Sequence, residues 1–543
     1  MTTPSIARSS LAMAGGSVAS RILGIVRQSL IVLAIGQGLT GNAFTTANTL
    51  PNIIYMVIAG GVLNSVLVPQ LVKAAKNADG GRDYTDRILT LAGAGFLVVT
   101  VVCTLGAGVL IRLYATQLEP DAMSLATFFA FVTIPQIFFY GMYSVLGQVL
   151  NARGQLAAFG WAPALANVVQ IIGLVAFMGL FDGHVNPGRW TAPMVWVFAG
   201  TATLSIVVQA LFLLVPLWRA GFRWTPRFGV RGVGLAQTSK VAGWAFSALV
   251  LSQLGYLVAS NVMWHASDQS RELGRFIPGI AVYANALFVF MVPHSLIALS
   301  IITALYPRIS AAAHSNDLGV LRREYVRGLT VPTAVTLPAS VALLAFAVPV
   351  TVLLFSSRDP AEIPATAQVL AAMAIGVVPF GIDVLNQRFF YAHDDGRKAF
   401  WEQLVLTGSA TAVTLGTLAL RPESTVAVIG LGIVLSNVLS SAFGMRLVRR
   451  RLGHLGGRAI LLSYLRIGSA SVVAGAIAWP VVLGFSGLVD GRVGALVTLV
   501  VAGGVFAVAY LLMAAVLRIP EVWSLLDPVL ARLPHRISSR LRP

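Results

Sequence analysis

Apolar runs long enough to cross a bilayer follow one another along almost the whole 543-residue chain. A transmembrane helix needs about 20 consecutive apolar residues, because backbone groups inside the hydrocarbon must be hydrogen-bonded within the segment. The composition agrees with this pattern, since 11% of the residues are charged, against roughly 25% in soluble domains. The sequence therefore predicts an all-α polytopic membrane protein with about fourteen transmembrane helices.

The apolar runs form groups of six, six and two. The predicted spans are 10–35, 43–72, 88–111, 125–150, 156–181 and 193–218, then 241–263, 276–305, 329–355, 366–391, 400–420 and 425–447, and finally 460–489 and 493–517. We expect an N-terminal six-helix lobe over 1–218, a basic cytoplasmic linker over 219–240, a C-terminal six-helix lobe over 241–447, an extra helix pair over 448–517 and a basic cytoplasmic tail over 518–543.

The basic residues are distributed unevenly between alternate loops. With both termini in the cytoplasm, most of the 38 lysines and arginines lie in cytoplasmic loops, as the positive-inside rule requires. The net charge of +18 then belongs mainly to the cytoplasmic face, which would attract anionic membrane lipids. The basic residues are scattered and form no RNA-binding motif, so we expect no nucleic-acid partner.

Two arginines lie inside the first predicted span, Arg21 and Arg27. An arginine near the middle of a spanning helix costs about 2.5 to 3.5 kcal/mol on insertion scales, so each should face a wet or protein-lined interior. At about 100° per residue, Arg21 shares a helix face with Gln28, and Arg27 lies roughly 120° around the helix. We interpret the pair as lining a cavity. Interfacial snorkelling or a buried structural pair stays open as the alternative.

Asp383, in the tenth predicted span, is the clearest acidic residue within the membrane. Its carboxylate could bind a cation or a proton. It could equally bond to Asn386 or Gln387 on its own helix. The sequence leaves both alternatives open.

Enzyme signatures are scarce. The dipeptide Gly-Lys does not occur, which excludes a Walker A loop, and neither His-Glu-x-x-His nor Gly-x-Ser-x-Gly is present. The seven histidines lack metal-ligand spacing, and the single cysteine, Cys103, excludes a disulfide framework. We expect a transporter with no catalytic residue, no metal site and no cofactor.

Several motifs, in order along essentially the whole chain, resemble the MurJ (MviN) family of lipid II flippases in the MOP exporter superfamily. They are SRILGIVR at 20–27, LPN at 50–52, Val68-Pro69, LNAR at 150–153, WAP at 161–163 with Asn167, YPR at 306–308, and RFFYA at 388–392 with Asp394 and Asp395. The absence of several charges that are common in the family resembles the actinobacterial branch.

The resemblance implies two six-helix lobes around a cationic cavity, with the last helix pair forming a groove for a lipid tail. It implies alternating access that moves lipid II, a peptidoglycan precursor on undecaprenyl diphosphate, from the inner to the outer leaflet of the bacterial cell membrane. Arg21 and Arg27 would hold the diphosphate, with Gln28 and Asn52 as further substrate-binding residues and Asp383 as a candidate ion-coupling residue. The candidate partners beside lipid II are anionic lipids and proteins of cell-wall synthesis or division.

Some positions that are commonly charged in the family are not charged here. They are Asn42, Tyr55, Met56, Gly60, Asn285 and Ala286. Two alternatives to a lipid II flippase therefore stay open at this point. One is a related exporter of another polyprenyl-linked saccharide or a drug, and the other is a transport-inactive scaffold for cell-wall synthesis.

Overall fold

The chain is almost entirely helical. A computed structural model describes residues 3–62, 81–116, 118–152, 155–181, 186–219, 221–229, 240–357, 359–486 and 491–530. No β-strand occurs among these residues. They form two compact units, the first comprising Met1–Ala281 with Ser357–Asp359 and the second comprising Val282–Ser356 with Pro360–Pro543. The predicted all-α class is confirmed.

The first unit is built from ten described helices. They are α1 (Thr3–Ile35), α2 (Leu39–Val62), α3 (Arg82–Leu105), α4 (Ala107–Tyr114), α5 (Pro120–Thr133), α6 (Gln136–Ala152), α7 (Leu156–Phe181), α8 (Ala192–Phe212), α9 (Leu214–Arg219) and α10 (Lys240–Asp268). The family motif at Val68-Pro69 and the residue Arg153 lie outside the described residues.

The second unit contains the remaining described helices. They are α11 (Ile280–Pro293), whose first two residues belong to the first unit, α12 (Leu299–His314), α13 (Leu318–Thr330), α14 (Thr333–Ala345), α15 (Ala347–Phe355), α16 (Glu362–Ala374), α17 (Val377–Ala392), α18 (Gly396–Gly416), α19 (Pro422–Leu452), α20 (Gly457–Ser486), α21 (Gly491–Val516) and α22 (Pro520–Leu530). The predicted cytoplasmic tail begins as α22, and residues 531–543 lie outside the described part.

The helices account for most of the predicted membrane spans. Ten stretches of helix in the described residues are long and apolar enough to cross a membrane, and two bent helix pairs raise the number to as many as twelve. The second and eleventh predicted spans are present as α2 and α18, which do not reach the same hydropathy. A multi-pass membrane protein is confirmed, whereas the exact number of fourteen is not.

Both bent pairs occur at identifiable breaks. The eighth predicted span is divided at Pro293, which is followed by a π-helical turn over His294–Ala298 and a bend of 45° into α12. The tenth is divided between α16 and α17 by a bend of 50°. By contrast, Pro51 lies inside an uninterrupted α2. Proline removes a backbone donor, so such breaks free carbonyl groups that must bond elsewhere.

The division between the compact units does not coincide with the predicted linker over 219–240. Residues 221–229 are non-helical and pack on α3, where Thr225 donates a 2.6 Å hydrogen bond to Asp86. Helix α10, expected to open the second lobe, packs on α2 through a 2.9 Å hydrogen bond from Trp264 Nε1 to Thr46 Oγ1. In its contacts α10 therefore belongs to the first unit, and the grouping into lobes of six helices stays a prediction.

The arginine-bearing helix α1 packs closely against α7. A Cβ atom added at Gly16 would lie 2.6 Å from the backbone carbonyl of Gly160. Such a distance is far inside van der Waals contact, so glycine at this position allows the two backbones to approach. Small residues serve the same purpose at many interfaces between transmembrane helices.

The variant Gly16→Ala tests this contact. We expect its methyl group to force α1 away from α7 and to lower the stability of the detergent-solubilised protein by about 1 to 3 kcal/mol, the usual cost of overpacking. Gly15→Ala is the matched control, because nothing lies within 4 Å of a Cβ atom at Gly15. Equal thermal unfolding midpoints for the two variants would contradict the proposed close packing.

Candidate substrate-binding and ion-coupling sites

Arg27 extends from α1 into a polar region of the first unit. Its Nη1 donates a 3.2 Å hydrogen bond to Gln170 Oε1 on α7. Tyr140 on α6 is close enough to interact electrostatically with the guanidinium. The buried Nε of Arg27 has no hydrogen-bond acceptor within the described part of the chain. The guanidinium therefore retains donor capacity that the surrounding side chains do not use.

The groups around Arg27 are neutral. Among the described residues no carboxylate forms an ion pair with it, and its hydrogen-bond partner Gln170 is an amide that is 2% exposed. The ring of Tyr140 lies 5.8 Å from that of Tyr55 on α2. A permanently charged side chain with neutral neighbours is suited to holding an anion, because no internal counter-ion must first be displaced.

The residues of the family motifs come together at this interface. Asn167 Nδ2 on α7 donates a 2.8 Å hydrogen bond to the backbone carbonyl of Ser20. A Cβ atom at Gly24 would lie 3.7 Å from the same amide nitrogen. The opening motif and Asn167 are more than a hundred residues apart in sequence. They fix one helix on the other about two turns from Arg27.

The other three predicted substrate-binding residues differ in environment. Arg21 is exposed on α1 and Gln28 is half-buried on the same helix, while Asn52 is exposed on α2 immediately after Pro51. The predicted separation of Arg21 and Arg27 around the helix thus places one guanidinium at the surface of α1 and the other partly inside the unit. Their role in substrate binding stays a prediction.

Two of the positions that depart from the family pattern have structural contacts in the first unit. Tyr55 packs against Tyr140, the tyrosine that interacts with the guanidinium of Arg27. Asn42 is buried and accepts a 2.9 Å hydrogen bond from the backbone N–H of Ala281. A neutral amide can accept this bond, so the position does not need a carboxylate for its contact with the chain.

Asp383 is buried in α17, where both carboxylate oxygens accept hydrogen bonds. Ser440 on α19 donates to Oδ1, and Gln387 Nε2 donates to Oδ2 over 3.1 Å. The bond to Gln387 is one of the two contacts that the sequence suggested within the helix. Asn386, the other suggested partner, instead donates to a different carboxylate.

That carboxylate belongs to Glu402, which the sequence analysis missed. Glu402 lies on α18 and is 0% exposed, and its Oε1 accepts a 2.8 Å hydrogen bond from Asn386 Nδ2. The carboxyl groups of Asp383 and Glu402 lie close enough to interact with each other. A sequence signal existed, because Glu402 is the one acidic residue in the predicted span 400–420.

The surroundings of this carboxyl pair are compact. Tyr325 donates a hydrogen bond to Asn386 Oδ1, which holds the amide with its nitrogen toward Glu402. A Cβ atom at Gly444 would lie 1.9 Å from Glu402 Oε1, so only glycine leaves room for the carboxyl group there. No lysine or arginine of the described residues forms an ion pair with either acid. Two neighbouring buried carboxyl groups can share a proton, since like charges close together disfavour ionisation of both.

An apolar pocket lies beside the last helix pair. Its volume is about 380 Å³, and residues of α14, α15, α20 and α21 line it. Trp479 of α20 and Val348 of α15 are more than 40% exposed, so the pocket opens toward the outer surface of the second unit. An apolar pocket open to lipid is suited to part of a hydrocarbon chain.

A double-mutant cycle on Arg27 and Gln170 tests the polar region in the first unit. Gln170→Leu removes the side chain that accepts a hydrogen bond from the Arg27 guanidinium. We expect a loss of about 1.5 to 3 kcal/mol in stability. The effects of Arg27→Met and Gln170→Leu should then be non-additive by about 1 kcal/mol or more in thermal unfolding experiments. Additive effects would show that the two side chains do not interact.

Comparisons with known proteins agree with the motifs. A family model described as lipid II flippase MurJ matches residues 31–502, a range that begins after Arg21 and Arg27. A probable lipid II flippase MurJ from Synechocystis sp. is 26% identical over 94% of this chain and 96% of its own length. The lipid II flippase MurJ from Burkholderia cenocepacia is 26% identical over 72% and 73% of the two chains.

Solved structures show the same fold. A lipid II flippase MurJ in an inward closed conformation superposes with a TM-score of 0.72 at 16% identity, covering 93% of this chain and 98% of that one. An inward-facing multidrug resistance MATE transporter of the MOP superfamily gives a TM-score of 0.65 at 18% identity, with 80% and 96% coverage. The family model extends over most of the sequence, and the chain therefore belongs to the MurJ family of lipid II flippases.

Proposed function

We propose that this chain moves lipid II from the inner to the outer leaflet of the bacterial cell membrane by alternating access. It would act as a transporter and not as an enzyme, with both termini in the cytoplasm. The observation that carries the proposal is Arg27, a charged side chain inside an apolar helix whose nearest partners, Gln170 and Tyr140, are neutral. Membership of the MurJ family indicates that the substrate is lipid II.

The chemistry of arginine suits the headgroup of this substrate. A guanidinium is planar and always charged, and it can donate two parallel hydrogen bonds to phosphate oxygens. The diphosphate of lipid II offers several such oxygens. Arg27 Nη1 is engaged with Gln170, while its Nε lacks an acceptor among the described residues. An incoming phosphate would satisfy that donor.

The remaining predicted ligands would act around this contact. We assign Arg21, which is exposed on the same helix, to the first capture of the diphosphate, and Gln28 and Asn52 to neutral hydrogen bonds with the headgroup. The apolar pocket beside α20 and α21 would hold part of the isoprenoid chain. A cationic drug is a less suitable substrate, because a guanidinium without a nearby carboxylate repels it.

The carboxyl pair of Asp383 and Glu402 is our candidate for ion coupling. Both oxygens of Asp383 accept hydrogen bonds, and Glu402 Oε1 accepts one from Asn386. Glu402 Oε2 is buried and has no donor among the described residues. A proton bound between the two carboxyl groups would satisfy that oxygen. Release of the proton would leave two buried negative charges on α17 and α18, which favours a rearrangement that separates or hydrates them.

Arginine variants test the substrate site. We expect Arg27→Ala and Arg21→Ala each to reduce lipid II translocation by reconstituted protein at least about tenfold, the loss of one charge-assisted contact. Arg27→Lys should retain only part of the activity, because an ammonium cannot bind phosphate bidentately. The control is Arg112→Ala, which removes an exposed arginine at the end of α4. Normal translocation by the folded Arg27→Ala variant would refute the assignment of that residue.

Glu402→Gln tests the coupling site. The amide can still hydrogen-bond to Asp383 and imitates the protonated pair, so the variant should fold normally. We expect translocation to become slow and to lose its dependence on the pH gradient across proteoliposomes, while lipid II binding is unchanged. A wild-type response to pH in this variant would contradict proton coupling through Glu402 and would leave the arginine site unaffected.

A further inference from the structure

A second groove lies on the second unit, between the bent pair α16–α17 and helix α19. Its volume is about 530 Å³, within the range of about 300 to 1,000 Å³ that ligand sites occupy. The wall toward the middle of the helices is apolar and contains Ile375, Ile382 and Val438. Ile375 is 53% exposed and Val438 is 46% exposed, so this part of the groove faces outward from the unit.

The other end of the groove is cationic. Arg446 and Arg449 line it and are exposed near the C-terminal end of α19. Residues three apart lie on the same side of a helix, so both guanidinium groups can reach one ligand. Neither arginine forms an ion pair with an acidic residue in the part of the chain that the structure describes.

The length of the groove is close to that of one lipid molecule in a leaflet. From Val438 to Arg449 the helix advances eleven residues, or roughly 16 Å at 1.5 Å per residue. This distance is about half of the roughly 30 Å hydrocarbon thickness of a bilayer. The groove therefore extends from the midpoint of α19 toward its C-terminal end, with apolar residues at the midpoint and cations at the end.

We propose that this groove binds one anionic phospholipid of the inner leaflet. Its phosphate would contact Arg446 and Arg449, and an acyl chain would lie along Ile375, Ile382 and Val438. The choice of leaflet rests on the proposed orientation, in which the C-terminal end of α19 is cytoplasmic. Two neighbouring guanidinium groups favour an anionic headgroup over a zwitterionic one, because a choline or ethanolamine group would bring a positive charge beside them.

The proposed lipid is distinct from the transported substrate. The groove is remote in sequence from Arg21 and Arg27, and each of its lining residues belongs to the second unit. One lining residue, Ser441, accepts a hydrogen bond at its carbonyl from Asn386, the amide that also holds Glu402. A lipid in the groove would therefore lie against the helix that supports the carboxyl pair.

The test is native mass spectrometry of the full chain with added phosphatidylglycerol, using matched double variants. We expect Arg446→Ala/Arg449→Ala to weaken phosphatidylglycerol binding at least about tenfold, the value of one charge-assisted contact at 1.4 kcal/mol per decade. Arg450→Ala/Arg451→Ala removes the same charge from neighbouring exposed positions that do not line the groove, and should bind as the wild type does. Equal weakening in both double variants would overturn the site in favour of a diffuse attraction to the basic surface.

A second variant tests the apolar half of the groove. Val438→Trp places a large side chain at an already exposed position and should displace the acyl chain while the fold is kept. We expect it to weaken phosphatidylglycerol binding, and inorganic phosphate or phosphatidylcholine should not compete at the same concentration. Unchanged binding in Val438→Trp, or displacement by phosphate alone, would overturn a phospholipid site.

Lipid II is the other anionic lipid that could occupy the groove. Displacement of phosphatidylglycerol from the wild-type protein by an equimolar amount of lipid II would overturn the proposal of a separate phospholipid site. Normal lipid II translocation with lost phosphatidylglycerol binding in that variant would support it. Translocation itself is measured separately, so failure of the flippase proposal and failure of this one can be told apart.

Discussion

The positive charge of Arg27 within an apolar helix is the constraint on which the first unit depends. The guanidinium cannot lose its charge, so its hydrogen-bond donors must find acceptors inside the protein or in a ligand. One acceptor, Gln170, comes from α7, and close approach of α1 to α7 requires Gly16 and Gly160 at their contact. The close packing of α1 on α7 therefore brings Gln170 to the guanidinium of Arg27. The Nε–H of Arg27, which has no acceptor among the described side chains, is available to an anionic substrate.

The second unit contains a buried pair of acidic residues whose hydrogen-bond partners are also neutral. Asp383 and Glu402 are buried and hydrogen-bonded to amide and hydroxyl groups, and no described cation pairs with them. At both sites a charged group has neutral partners, which is costly unless a ligand or a proton compensates for it. An anion beside Arg27 and a proton between the two acids are the simplest compensating partners. A transport cycle would need both, one as cargo and the other as a source of energy.

Much of this arrangement could be predicted from the sequence. Long apolar runs fixed the helical class and most spans, because the bilayer leaves the backbone few other choices. The cost of an intramembrane charge identified Arg27 and Asp383. Glu402 was not predicted, because only tertiary packing places it beside Asp383. The packing of α10 on α2 depends on one long-range bond, Trp264 to Thr46, which no local pattern reveals.

The most direct measurement of lipid II flipping uses cells in which this protein is the sole flippase. Expression would be repressed and then restored, and lipid II on the outer face would be cleaved by an externally added lipid II hydrolase. If the chain flips lipid II, cleavage decreases on depletion and returns with the wild-type chain. Unchanged cleavage after the protein has disappeared would contradict it, and would favour a scaffold or an exporter of another saccharide.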